Sequence, residues 1–311
     1  MVTQSSTDRW MKCISTQGNI RGVAIQATEL VQEMADRHQL KGRAIQGLGE
    51  AVMSALLVAS YCRVGQRVNL NVQGSGAFKQ ALVDAYPDGT VRGYLIERSE
   101  ASSPPSAAHA QEETGPWGEG YLSVLRTRET EPGGRPEVKP YIGTVPLLTG
   151  HLAKDLSFYW VQSEQIPSAV GLAVNLEGDR VLSAGGFLVQ ALPGASAMEV
   201  RALEHHIHEI ESLARTVAKD ASPIHLLSQI FQSTAFVVVE ERSLRFQCNC
   251  SWERVQRALV LLGVAELEAI LKEDQVAVVK CDFCSMDYRL SESELRALID
   301  QIKAASAAVS S

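Results

Sequence analysis

The chain has 311 residues, of which 45% are hydrophobic and 21% are charged. These proportions are typical of soluble globular proteins and argue against a disordered chain or a coiled coil. The net charge of -7 argues against a surface devoted to nucleic acid phosphates. The length favours two domains, or one large core with an appended module.

The N-terminal residues are polar and lack the apolar stretch of about 7 to 15 residues that marks a signal peptide. The longest apolar run, residues 51–62, is shorter than the roughly 18 to 20 residues needed to cross a bilayer, and it predicts a buried helix. We therefore expect a cytoplasmic protein without a membrane segment, whose thiols are kept reduced.

Helix and strand patterns are mixed in the first two thirds of the chain. Hydrophobic periodicity predicts helices over 28–40, 42–63 and 152–162, and strands over 67–73, 81–86, 170–176 and 187–192. The strands that are neighbours in the sequence are expected to pair antiparallel. Residues 99–120 contain three prolines and four acidic residues but no Lys or Arg, which predicts a mobile surface loop.

A capping box, Ser196 to Glu199, begins the next predicted helix. Apolar residues then recur at spacings of three and four, at Leu203, Ile207, Ile210, Ala214 and Val217. This stripe predicts one amphipathic helix that is docked on a partner surface. A short helix and a strand over 235–240 follow it.

Four of the six cysteines form two close pairs in the last quarter of the chain, Cys248 with Cys250 and Cys281 with Cys284. The 30 residues between the pairs predict two helices, with Ser251 and Gly263 as caps of the first, and then a strand over 276–280. Two such pairs brought together can supply four thiolates to one tetrahedral zinc ion, in a closed structural site without a position for a catalytic water.

The C-x-C pair would close a small, strained ring as a disulfide, so Cys281 and Cys284 are expected to oxidise first. Structural zinc is worth about 10 to 16 kcal/mol, which equals or exceeds the net stability of about 5 to 15 kcal/mol of a whole domain. Oxidation of the thiolates should therefore release the metal and unfold this module of about sixty residues.

Other interpretations of these cysteines are reduced thiols without a ligand, a thioredoxin-like redox site at Cys281 and Cys284, and a constitutive zinc ribbon that binds nucleic acid. The redox site lacks a surrounding βαβ pattern and leaves the C-x-C pair unexplained. The zinc ribbon needs a basic face, whereas residues 241–311 hold nine basic and eleven acidic residues.

Candidate sites elsewhere in the sequence have simpler explanations. His205 and His208 share a helical face with Glu209, which is more typical of a solvated surface than of a metal site, while His206 faces elsewhere. Gly74-Ser75-Gly76 lacks the spacing of a phosphate-binding loop and predicts a strand turn. The remaining two cysteines, Cys13 and Cys62, are expected to be buried and inert. No nucleophile motif supports catalysis, so an enzyme is not predicted.

Several core motifs, together with the cysteines, resemble the bacterial redox-regulated heat-shock chaperones of 33 kDa. In sequence order these motifs are Arg92-Gly93-Tyr94, Ser163-Glu164-Gln165 with Pro167, and Gly185 to Gln190 ending at Leu192-Pro193-Gly194. The resemblance covers essentially the full length. The 99–120 loop is longer than is usual for that family.

The resemblance implies an ATP-independent holdase, a chaperone that holds unfolding proteins without refolding them. It is inactive while reduced and bound to one zinc ion. Oxidation would form the disulfides Cys248–Cys250 and Cys281–Cys284, release the zinc, and unfold the module and its linker. Unfolding would expose a surface for unfolded client proteins, and the active form would be a homodimer. Nucleic acid and membranes are not expected partners.

We therefore predict an α+β fold in three parts. Residues 1–194 form a large mixed core domain with antiparallel sheet and helices, residues 195–244 form a redox-sensitive helical linker, and residues 245–311 form a small zinc-binding redox-switch domain.

Overall fold

The computed structural model describes residues 8–98, 114–128, 140–210, 212–232, 234–273 and 276–309, without the side chains of 305–309. The chain divides into two compact units, Met1–Gln247 and Cys248–Ser311. Both units combine helices with antiparallel strands, which confirms the predicted α+β class. In the part of the chain that is described, no helix is both long enough and apolar enough to span a membrane.

The first unit contains eleven described strands, which form two sheets. The strands are β1 Arg9–Ser15, β2 Ile20–Gln26, β3 Gln66–Gly74, β4 Phe78–Ala85, β5 Thr90–Glu97, β6 Gly120–Arg128, β7 Tyr141–Pro146, β8 Ser168–Glu177, β9 Arg180–Ala191, β10 Phe236–Ser243 and β11 Arg245–Phe246. One sheet has the order β10-β1-β2-β9-β8 and the other β11-β5-β4-β3-β6-β7. All neighbours are antiparallel except β11 and β5, which are parallel.

The helices of this unit are α1 Thr28–His38, α2 Arg43–Ala59, α3 Leu152–Glu164, α4 Ala197–Glu209, α5 Leu213–Lys219 and α6 Pro223–Phe231. Helix α2 is buried along most of its length, as its apolar run predicted. It approaches its neighbours closely because Gly47 leaves room for the ring of Phe78, which would lie 2.6 Å from an added Cβ. The predicted elements before residue 99, and those over 152–162 and 170–176, are confirmed to within about four residues at each end. The strand predicted over 187–192 is the end of β9, which begins seven residues earlier, at Arg180.

The amphipathic stripe predicted as one helix is divided between two. The capping box of Ser196 and Glu199 is present at the start of α4, but that helix ends at Glu209 and a second one begins after Ser212. The Ser212 side chain accepts a hydrogen bond from Arg215 N–H and so caps the new helix. The prediction failed because the apolar spacing in the sequence continues although the helix itself is interrupted. The interruption is possible because Ser212 caps the start of the second helix.

Helices α4 to α6 cover one face of the five-stranded sheet. Within the stripe, Leu203 and Val217 are buried, Ile207 and Ile210 are partly buried, and Ala214 is exposed. These helices share a cluster of apolar side chains with β1, β2, β8 and β9, in which Phe187, Leu226, Leu227, Ile230 and Phe231 are buried. The stripe therefore docks on the first unit, as expected, with the exception of Ala214.

The prediction of a mobile surface loop over 99–120 is wrong for its end. Residues 99–113 lie outside the described residues, but Trp117 is fully buried, with its ring edge-on to Phe78 at 5.0 Å between centroids. The turn at 74–76 receives this segment, because Gly76 N–H donates to the Trp117 carbonyl at 2.9 Å. A Cβ on Gly74 would lie 2.2 Å from that same oxygen. The glycines thus form a strand turn, as predicted, and they also seat a buried tryptophan.

The second unit is smaller and has its own core. Its elements are α7 Trp252–Leu262, α8 Val264–Glu273, β12 Ala277–Lys280, β13 Asp287–Leu290 and α9 Glu292–Val309. Strand β12 confirms the strand predicted over 276–280, and it pairs antiparallel with β13 to form a hairpin. Ser251 caps α7 through its side chain, and Gly263 ends that helix with a φ of 84°. Within the described part of this unit, eight hydrophobic residues form the buried core.

Candidate metal centre

The two cysteine pairs are held by different kinds of local structure. Cys248 and Cys250 lie in a segment without regular secondary structure that leads directly into the Ser251 cap of α7. Cys281 and Cys284 form the turn of the β12–β13 hairpin, where Cys281 N–H donates to the Met286 carbonyl at 2.9 Å. Ser285 N–H donates to the Cys281 carbonyl at 2.8 Å. Ser285 has a φ of 59°, in the left-handed region, and turns the chain back into β13.

All four sulfur atoms lie within 4.8 Å of one another. The sulfurs of Cys248 and Cys281 are 3.8 Å apart, and those of Cys250 and Cys284 are 3.4 Å apart. In a tetrahedral site with Zn–S bonds of about 2.3 Å, neighbouring sulfurs lie about 3.8 Å apart. The residues present therefore fit a tetrahedral metal ion, and the sulfurs are too far apart for existing disulfides, whose S–S bond is about 2.05 Å. The proximity of all four sulfurs does not select a disulfide pairing.

Burial and hydrogen bonding oppose each other at these sulfurs. Burial raises the pKa of Cys284 and of Cys281, although backbone N–H groups donate to both sulfurs. At Cys250 burial also favours the neutral thiol, but hydrogen bonds from Tyr288 and from the other cysteines outweigh it and lower the pKa. A bound cation reverses the effect of burial, because it stabilises thiolates directly.

Tyr288 is a neighbour of the site that the sequence did not single out. Its hydroxyl donates a hydrogen bond to the Cys250 sulfur at 3.0 Å, which raises the pKa of Tyr288 to about 12. Its ring lies 6.1 Å from that of Trp252, at an interplanar angle of 31°. A tyrosine four residues after the second C-x-x-C cysteine, on a short strand, is the sequence signal that could have identified it.

The small size of this unit explains why four ligands on one ion matter to its fold. It spans 64 residues, and eight buried hydrophobic residues make up the core of its described part. Domains of this size rarely reach more than about 3 to 5 kcal/mol from apolar burial alone and often need a metal or disulfides. A metal ion held by these four cysteines would join the start of the unit to its hairpin.

The other candidate residues do not form a second site. His205 Nε2 lies 3.1 Å from Glu209, but the buried His206 faces the Ile230 carbonyl at 3.2 Å. Among the described residues, the four cysteines are the group of His, Cys, Asp or Glu side chains that lie close enough together to hold a metal ion. Cys13 is buried in β1, and burial raises the pKa of its thiol to about 12. Cys62 is only half-buried, which is less than predicted, although its burial still raises the pKa of the thiol.

Comparison with known proteins gives consistent matches over nearly the whole chain. The sequence profile of the Hsp33 protein family matches residues 8–291. A 33 kDa chaperonin of Geobacter sulfurreducens is 35% identical over 300 residues, which cover 96% of this chain and 97% of the relative. One from Nostoc punctiforme is 37% identical over 303 residues, which cover 96% and 98% of the two chains.

A solved structure also matches the fold. The crystal structure of the 33 kDa chaperonin from Thermotoga maritima, a heat shock protein 33 homologue, superimposes with a TM-score of 0.82 at 30% identity. The match covers 95% of this chain and 99% of the other.

Proposed function

This chain belongs to the Hsp33 protein family, and on that premise we propose that it is a redox-regulated holdase that binds unfolding client proteins without ATP. The observation that carries the redox part is the set of four cysteine sulfurs within 4.8 Å of one another. A chaperone of this kind binds clients and does not turn over a substrate, so we propose no catalytic residues.

In the reduced state, Cys248, Cys250, Cys281 and Cys284 would hold one zinc ion as four thiolates. The choice of zinc rests on the donor set, because four thiolates in tetrahedral geometry are typical of structural zinc. When bound, the metal would contribute about 10 to 16 kcal/mol to the folded form of the C-terminal unit. The thiolates would keep the unit folded for as long as they remain reduced.

Oxidation would convert the thiolates into two disulfides, Cys248–Cys250 and Cys281–Cys284. Each disulfide gives two electrons to the oxidant and removes two of the four ligands. The C-terminal unit would then lose its main source of stability and unfold. The chain continues from Cys248 back through β11 to the helices of residues 195–244, which we propose as the segment that unfolds next.

The packing of residues 195–244 supports a role as a releasable cover. Helix α4 buries Leu203 in the apolar cluster that it shares with the sheet, yet it also borders a pocket of about 250 Å³ that is partly open to solvent and is lined on the sheet side by Ala169, Val189 and Ala191. A helix that borders such a pocket gains less free energy from docking than a closely packed one. Its release would uncover the apolar side chains of the sheet, which is the kind of surface that unfolding clients bind.

We further propose that the protein works in the cytoplasm and that its oxidised form is a homodimer. The division into a core of residues 1–194, a linker of 195–244 and a switch domain of 245–311 is part of the same proposal. Nucleic acid and membranes have no role in it.

The test compares the reduced protein with protein treated with peroxide under mild heating. Zinc content, free thiols and suppression of aggregation of a chemically unfolded client are measured on both samples. We expect one zinc ion and no protection before treatment, and zinc loss, four fewer thiols and protection afterwards. Equal protection by both forms would refute the switch. Turnover of a small disulfide by a variant that lacks Cys248 and Cys250 would instead indicate an oxidoreductase.

A further inference from the structure

The four sulfurs of the metal centre receive different hydrogen bonds. Backbone N–H groups of Phe283 and Cys284 donate to Cys281, and that of Met286 donates to Cys284. Cys250 receives a bond from the Tyr288 hydroxyl at 3.0 Å, in addition to its contact with the Cys284 sulfur at 3.4 Å. The Cys248 sulfur has a thiol as its neighbour, the Cys281 sulfur at 3.8 Å. The two members of the C-x-C pair therefore differ, although they are only two residues apart.

Tyr288 is held firmly in the position from which it donates. It lies in β13 and pairs with Val279 of β12, so the hairpin that carries Cys281 and Cys284 also fixes this tyrosine. Its half-buried ring packs with the core of the C-terminal unit and lies beside Trp252, the first residue of α7. The hydroxyl thus links the hairpin to the opposite cysteine pair.

We propose that Tyr288 is a positioning residue of the redox switch, whose hydrogen bond shields Cys250 and leaves Cys248 as the thiolate of the C-x-C pair that an oxidant attacks first. This inference rests on the proposed function. A hydrogen bond to a thiolate occupies a lone pair and withdraws electron density, so the sulfur becomes a weaker nucleophile. The same bond stabilises the negative charge of Cys250 beside three other thiolates, as groups that hydrogen-bond to metal ligands commonly do.

The order of attack gives each cysteine a defined part in disulfide formation by peroxide. The Cys248 thiolate attacks one peroxide oxygen, an S–O bond forms, the O–O bond breaks and hydroxide leaves. The Cys250 thiolate then attacks the sulfenic sulfur of Cys248, an S–S bond forms, the S–O bond breaks and a second hydroxide leaves. Two protons convert the two hydroxides to water, and the two sulfurs together lose the two electrons that peroxide gains. The second step is intramolecular, which compensates for the weaker nucleophile.

The test uses the full-length protein with Tyr288→Phe, which removes the hydroxyl and keeps the ring. Tyr121→Phe is the matched control, because its hydroxyl donates to Gln73 in the first unit. Three quantities are measured: competition with a chromophoric zinc chelator without oxidant, the thiolate-to-metal charge-transfer band of the Co²⁺ form, and the site of sulfenic acid trapping by dimedone during brief peroxide treatment.

For Tyr288→Phe we expect about tenfold weaker zinc binding, in line with losses of neighbouring hydrogen bonds at other metal sites. The charge-transfer band should move to lower energy, because the Cys250 sulfur loses a stabilising donor. Dimedone should label Cys248 well above Cys250 in the wild-type protein and in Tyr121→Phe, and both cysteines about equally in Tyr288→Phe.

Unchanged zinc competition and an unchanged Co²⁺ band in Tyr288→Phe would overturn the proposal. A second variant, Trp252→Leu, removes the neighbouring ring but keeps the hydroxyl, and should retain the wild-type labelling ratio. If it loses the ratio as fully as Tyr288→Phe, ring packing and not the hydrogen bond is responsible, and the proposal fails. Failure of the wild-type protein to release zinc under peroxide would refute the proposed function, while the two oxidant-free measurements would still decide the role of Tyr288.

Discussion

Replacing Leu203 with alanine should release helix α4 and give chaperone activity without an oxidant. Leu203 is 5% exposed and belongs to the apolar cluster beneath α4 to α6. The change deletes three carbon atoms, each worth roughly 0.8 kcal/mol of burial, and enlarges a pocket that is already present. Because that pocket is partly open to water, we expect a loss near the low end of the usual range, about 2 to 3 kcal/mol.

This loss has a measurable consequence for the docked helix. At about 1.4 kcal/mol for each factor of ten, the docked population falls relative to the released one by about 30- to 140-fold. Hydrogen exchange of the α4 amides should accelerate by the same factor. The reduced, metal-bound variant should also suppress aggregation of an unfolded client, while its zinc content stays at the wild-type level.

The matched control is Met198→Ala, on the same helix but 79% exposed, which should change stability by no more than about 0.5 kcal/mol. Faster exchange in α4 of Leu203→Ala without any chaperone activity in the reduced state would refute the role of this helix as a cover. Unchanged exchange would refute the energetic reasoning itself.

Three further predictions follow from other parts of the molecule. Partial oxidation followed by peptide mapping should find the C-x-x-C disulfide before the C-x-C disulfide, and the reverse order would overturn the ring-strain argument. Removal of the metal with a chelator under reducing conditions should abolish amide protection in the C-terminal unit and leave that of α2 intact; persistent protection in the C-terminal unit would show that its small core suffices. Burial raises the pKa of Glu50 from 4.5 to about 7. Between these two pH values the folded chain keeps a proton that the unfolded chain releases, so the free energy of unfolding falls as the pH rises from about 4.5 to about 7. Glu50→Gln should therefore be more stable than the wild type in urea unfolding at about pH 8 but not at about pH 5, whereas the exposed Glu177→Gln should show no such difference.

The sequence predicts the elements well where one physical signal dominates. The apolar run over 51–62 indicates a buried helix, and α2 buries every residue of that run as far as its own end at Ala59. The capping box at Ser196 marks the start of α4. The cysteine cluster could also be predicted, since two close pairs with a compact fold between them have few other uses in a reduced chain.

The errors have physical causes that sequence spacing does not reveal. The break between α4 and α5 is invisible to periodicity, because the stripe resumes in phase after Ser212. Trp117 lies in a segment of loop composition, and its burial depends on glycines at 74–76 that are distant in the sequence. Sequence spacing does not reveal the contact of Tyr288 with Cys250, because the bond joins residues 38 positions apart that meet only in the folded unit.

The ligand order along the chain has a consequence for the entropy of the oxidised state. A metal that joins Cys248 to Cys284 would close a loop of nearly forty residues, a span for which a persistent crosslink is worth about 4 kcal/mol in the loop-entropy model. Disulfides within each pair would close loops of only three or four residues, worth less than about 2 kcal/mol each, and none of that restraint spans the segment between the pairs. Oxidation would thus replace one long-range crosslink with two local ones. The two disulfides would not restrain the segment of chain that lies between the cysteine pairs.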